Sequence, residues 1–181
     1  MVNVTNGAVG QCRWLVRLRW AAVGGIAVAA AASARLGVVE SPLLLFTVVV
    51  AMAAYNTALW LAGRRADTRP ELAHRLLVVQ LGLDLLALTV LLYCSGGIEN
   101  PFAFFYIFLI LIASLTCSRA EAYVLAIAAL VLSGSVALLE HTGWLVHYPL
   151  LLSSGSGLYH AGVLLALGAT VVGVVLFSSS T

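Results

Sequence analysis

Residues 76–98 read LLVVQLGLDLLALTVLLYCSGGI, an apolar run interrupted by one charged side chain, Asp84. A bilayer core of about 30 Å is crossed by roughly 20 helical residues, so this stretch has the length and composition of a membrane-spanning helix. Working outward, similar runs occupy residues 15–39 and 41–63 before it and 101–118, 121–139 and 158–177 after it. Six such spans consume nearly all of the 181 residues, of which 62% are hydrophobic and 9% charged. The mean hydropathy of +1.08 excludes an ordinary soluble domain. No length remains for a kinase, nucleotide-binding or DNA-binding module, and a net charge of +2 carried without lysine gives no nucleic-acid footprint. The predicted fold is an all-α integral membrane bundle of six helices.

Arginine sets the expected orientation. Arg13, Arg17 and Arg19 precede or open the first span, Arg64, Arg65, Arg69 and Arg75 lie between the second and third, and Arg119 lies between the fourth and fifth. Eight of the nine arginines thus fall on one side, which the positive-inside rule makes cytoplasmic together with both termini. Arg35, the turn at residues 96–102 and the stretch from Glu140 to His160 then face outward. That last stretch, with Trp144, Tyr148 and several leucines, reads as an interfacial flap followed by a Ser/Gly joint. Cys12, Cys94 and Cys117 show no metal-binding spacing, so no metal is expected. No cleavable signal segment, internal repeat or paired broken helices are visible.

The turn Gly96-Gly97-Ile98-Glu99-Asn100-Pro101-Phe102 carries the most information. Gly96 and Gly97 suit the left-handed backbone that ends a helix, Asn100 is a good N-cap, and Pro101 fits the first helical position. One reading is an economical hairpin between two spans. The other is a ligand site, because free amides from Phe102 onward would form a positive pole suited to a quinone carbonyl. Aromatic rings crowd that pole: Phe102 with Tyr106 and Phe104 with Phe108 are i, i+4 pairs, with Phe105 between them.

Asp84 lies nine residues beyond Arg75, roughly 13 Å of helix and therefore deep in the bilayer. An ionisable group at that depth is a functional candidate, either a switch or a structural clamp, with Gln80 one turn earlier or Asn56 on the second span as its hydrogen-bonding partner. Tyr55, Asn56 and Trp60 read as interhelical and interfacial anchors. His141, His147 and His160, with Glu99 and Glu140, gather on the outer side, where a quinol would exchange protons.

With these residues in view, the chain resembles the membrane sensor region of the RegB/PrrB family of redox-responsive histidine kinases. Gly96 to Phe102 matches that family's Gly-Gly-x-x-Asn-Pro-Phe heptapeptide, and the arginine- and tryptophan-rich approach at residues 13–20, the intramembrane Asp84 and the six spans agree with it. The resemblance implies a domain of the bacterial inner (cytoplasmic) membrane that binds ubiquinone or menaquinone through Gly96, Gly97, Glu99, Asn100, Pro101, Phe102, Phe105 and Tyr106. It implies a homodimer, with membrane lipid and quinone as its partners, that passes the redox state of the pool to an ATP-dependent kinase region and a response regulator. That kinase region has no counterpart in these 181 residues, so the chain reads as a sensor domain without catalysis of its own. Competing readings are a small transporter, which needs a polar path through the bilayer, and a quinone-interacting membrane subunit without kinase output, which needs haem or metal ligands.

Overall fold

The computed structural model describes residues 3–39, 42–66, 70–97, 100–146 and 148. Among the described residues five α-helices follow in order: α1 (Asn3–Leu36), α2 (Pro42–Ala66), α3 (Pro70–Tyr93), α4 (Phe105–Thr116) and α5 (Arg119–His141). A 3₁₀ segment, Pro101–Phe104, leads into α4. Among the described residues, α1, α2, α3 and α5 are each long and apolar enough to cross a membrane, while Pro101–Thr116 is a shorter apolar helix. The chain is a multi-pass membrane protein. Residues 158–177, expected as the sixth span, lie outside the described residues, as do Glu99, His147 and His160.

Local chemistry explains the boundaries. Helix α1 starts well upstream of residue 15, continuing through Gly7 and Gly10, which weaken a helix but do not end it as proline would, and it takes in Arg13, Arg17 and Arg19. It ends at Gly37, whose φ of 63° is left-handed, with the Val38 N–H donating to the Ser33 carbonyl at 3.0 Å in the manner of a Schellman motif. Helices α2 and α3 both open on proline, whose missing N–H has no helical partner at that position. Ser118 and Glu121 form a reciprocal capping box at the start of α5. At its far end Gly143, φ 76°, repeats the α1 solution, with the Trp144 N–H on the Leu139 carbonyl at 3.0 Å.

Helix α3 is the shared element of the bundle. Its ridge of Leu77, Leu81 and Leu85 packs with Phe108, Ile112 and Ala113 of α4, Leu125 and Ala129 of α5, and Leu15 of α1. On the other side α1 and α2 meet through Val23, Val48 and Met52, and Ala30, Val39 and Leu45 close over Cys94 at the end of α3. One end of the bundle therefore carries the glycine turns at residues 37, 96–97 and 143, and the opposite end carries exposed Arg13, Arg17, Arg64, Arg75 and Arg119. Tyr123, Val124, Ile127, Leu130 and Val131 of α5 are exposed, as apolar side chains facing lipid are in membrane bundles.

Candidate functional site

The signature turn is built around Asn100, which is buried. Its side-chain amide donates to both the carbonyl and the hydroxyl of Ser95, each at 2.8 Å, while its side-chain oxygen accepts from the Phe102 N–H at 2.9 Å. Ser95 in turn donates to the Leu91 carbonyl at 2.7 Å. One side chain thus ties the last turn of α3 to the first turn of the next helix. Gly96 and Gly97, at φ 108° and 58°, supply the reversal that places Ser95 and Asn100 within reach of each other. A Cβ on Gly97 would stand 2.9 Å from Glu140 Oε2, so the carboxylate from the end of α5 lies against the backbone of the turn.

Two sequence-based expectations change here. The amides from Phe102 onward are not a free positive pole: the Phe102 N–H is taken by Asn100, and the Ala103 N–H is taken by the Asn100 carbonyl at 2.9 Å. The aromatic pairing is also different, because the segment begins as a 3₁₀ helix of about three residues per turn, which aligns i with i+3. Phe102 stacks on Phe105, with centroids 5.8 Å apart and planes 11° from parallel, and Phe105 meets Phe108 edge-on at 6.4 Å. The Tyr106 hydroxyl turns inward to Thr89 Oγ1 at 2.6 Å, and Thr89 itself donates to the Leu85 carbonyl. The site-facing aromatic surface is therefore Phe102, Phe104 and Phe105, all half-buried or exposed. Tyr148 closes edge-on over Tyr93 at 5.4 Å beside it.

A second polar centre lies inside the bundle. Arg19 donates from Nε to Asp84 Oδ1 and from Nη2 to Asp84 Oδ2, both at 2.6 Å, and from Nη1 to Asn56 Oδ1 at 2.9 Å. The Tyr55 hydroxyl donates to Asp84 Oδ1 at 2.8 Å, and the Tyr55 ring lies 5.3 Å from the guanidinium carbon. Asn56 completes the set by donating to the Val16 carbonyl at 3.2 Å. Arg19 is 4% exposed, and Asn56 and Gln80 are fully buried. The bidentate fork is the strongest geometry available to a carboxylate and a cation in low dielectric.

The sequence singles out Asp84 and offers Gln80 or Asn56 as its partner, but places Arg19 with the arginines at the membrane surface. In the structure Asp84 accepts from Arg19 and Tyr55, and Asn56 accepts from Arg19. The missed signal is the position of Arg19. Leu15, Arg19, Val23 and Ala30 are buried on α1 at spacings of four, four and seven, so Arg19 sits within the inward stripe, whereas Arg13 and Arg17 lie off it and are exposed. At the arginine end, His74 of α3 meets the Glu121 carboxylate at 3.0 and 3.1 Å, and Arg64 stacks over Trp60 at 3.7 Å. Among the described residues no group of three His, Cys, Asp or Glu side chains is placed to hold a metal ion.

Residues 18–179 match the family model of the PilS-like transmembrane domain, a six-helix membrane domain of the sensor-kinase type. No curated protein and no solved structure matches the chain.

Proposed function

The chain belongs to the PilS-like transmembrane domain family, and on that premise we propose that it is the membrane sensor domain of a two-component histidine kinase and binds quinone from the lipid phase at the turn between α3 and α4. It crosses the inner membrane of a bacterium six times with both termini in the cytoplasm and works as a homodimer. The observation that carries the ligand reading is the pairing of a rigid, Asn100-stapled turn with the half-buried Phe102–Phe105 stack and the exposed Phe104 beside it. A planar head group of ubiquinone or menaquinone lies on these rings, beside Gly96, Gly97 and Pro101. With the Phe102 and Ala103 amides already engaged, ring contact rather than the helix pole supplies most of the affinity.

The domain carries out no reaction. A ligand shifts a signalling equilibrium only by the difference in its affinity for the two arrangements, so the oxidised and reduced forms must bind with different strength. Output passes to a kinase region and from it to a response regulator. The experiment is photolabelling of the protein in liposomes with an azido-quinone. Label confined to the peptide spanning residues 95–106, displaced by excess unmodified quinone and lost in Phe102→Ala, is the expected result. Label spread along lipid-facing helix surfaces without competition contradicts the reading.

A further inference from the structure

The ridge that joins α3 to α4, α5 and the start of α1 repeats every four residues as Leu77, Leu81 and Leu85, with Thr89 next in line. Beyond Arg19 the inward positions of α1 carry short side chains, Val23, Ala27, Ala30 and Ser33, while Ala21, Gly24, Gly25 and Ala32 are exposed. Short side chains on this helix and like leucines on that ridge discriminate weakly between alignments one turn apart, about 6 Å for four residues. Lipid adds no hydrophobic preference for one alignment over another. Apolar packing alone therefore leaves the vertical register of α3 weakly specified.

The Arg19 network has no such degeneracy. Its fork makes two 2.6 Å bonds to one carboxylate, and a third N–H reaches Asn56 on another helix. Displacement by one turn, about 6 Å, carries the carboxylate out of reach of the fork while Asn56 stays behind on α2. An incorrect register leaves a guanidinium and a carboxylate buried without each other, which is far more costly than any mismatch of leucines. We propose that Arg19, Asp84, Asn56 and Tyr55 form a register lock that selects one alignment of α3 against α1 and α2, and so fixes the height of the turn carried at the far end of α3. Asp84 is twelve residues from Gly96, about 18 Å along the helix, so a slip at the lock moves the turn by the same amount. The lock stands on the geometry of this network and does not require that the turn binds quinone.

This role separates from simple stabilisation, because exchanging both members of an ion pair for apolar residues is often neutral for stability, so that any loss of a unique alignment is read by itself. The test uses the chain in nanodiscs with Cys12 and Cys117 changed to serine, native Cys94 kept, and a second cysteine introduced by Ala30→Cys, in the cluster that contains Cys94, or one turn away by Ile26→Cys or Ala34→Cys. With the network intact, a short bifunctional thiol reagent joins Cys94 preferentially to position 30. The single changes Arg19→Met and Asp84→Leu each lower the unfolding temperature, by on the order of 10 °C. The double variant regains most of that loss, yet cross-links positions 26, 30 and 34 without preference. Retention of the position-30 preference in the folded double variant overturns the proposal. So does a double variant no more stable than the singles, which would make the network ordinary stabilisation, and so do single variants as stable as wild type.

Discussion

The signature turn and the Arg19 network are both held by side-chain hydrogen bonds, but they are built over opposite distances along the chain. In the turn, Asn100 bonds to groups two and five residues away. In the network, Tyr55, Asn56 and Arg19 meet partners 29, 37 and 65 residues away. A turn closed by its own residues keeps its shape whatever the helices around it do. A network spread over three helices exists only while those helices hold their alignment. The turn is thus a rigid fixture and the network a report on packing, and α3 joins one to the other.

Substitutions sharpen this contrast. Arg19→Ala leaves the largely buried Asp84 carboxylate without its cation and should cost the most, about 3 kcal/mol, with the loss felt across the whole bundle in thermal unfolding. Asn100→Ala removes the cap on Phe102 and both bonds to Ser95, and should cost about 1–3 kcal/mol while leaving cross-links between α1 and α3 unchanged. If Asn100→Ala disturbed those cross-links, the separation of the two regions would fail. Gly97→Ala should cost about 1–2 kcal/mol, from forcing a side chain into left-handed backbone. The 2.9 Å approach to Glu140 adds little, since the carboxylate end of that side chain can swing aside. Tyr106→Phe, which deletes the bond to Thr89, should have the smallest effect, about 0.6 kcal/mol and no more than about 1.7, as intramembrane hydrogen bonds generally do.

Legibility in the sequence follows the same division. The glycine reversal, the Asn100 cap and the proline start were readable because each is a property of a few consecutive residues. The helices before residue 142 are readable from the absence of charge, four of them long enough to cross a membrane, whereas the early start of α1 has no apolar signature because its first residues are polar. The Phe102–Phe105 stack escaped a reading based on α-helical spacing because the first turn is 3₁₀. Arg19 escaped because an arginine near the end of a span is ordinarily a surface residue. Only its place in line with Leu15 and Val23 marks it as inward, and its partner across the bundle depends on tertiary alignment that no local pattern encodes.

Whether the turn end of this bundle receives a quinone head group and distinguishes its redox states is read by titrating the protein in nanodiscs with short-chain ubiquinone and menaquinone analogues, oxidised and reduced, with Phe102→Ala measured in parallel. A quinone site at the turn gives saturable binding, unequal affinity for the two redox forms, and a weakening of about 1–3 kcal/mol in Phe102→Ala without loss of thermal stability. Binding that rises linearly with quinone in the lipid, or equal affinity for both forms that is untouched in the folded Phe102→Ala variant, would contradict it.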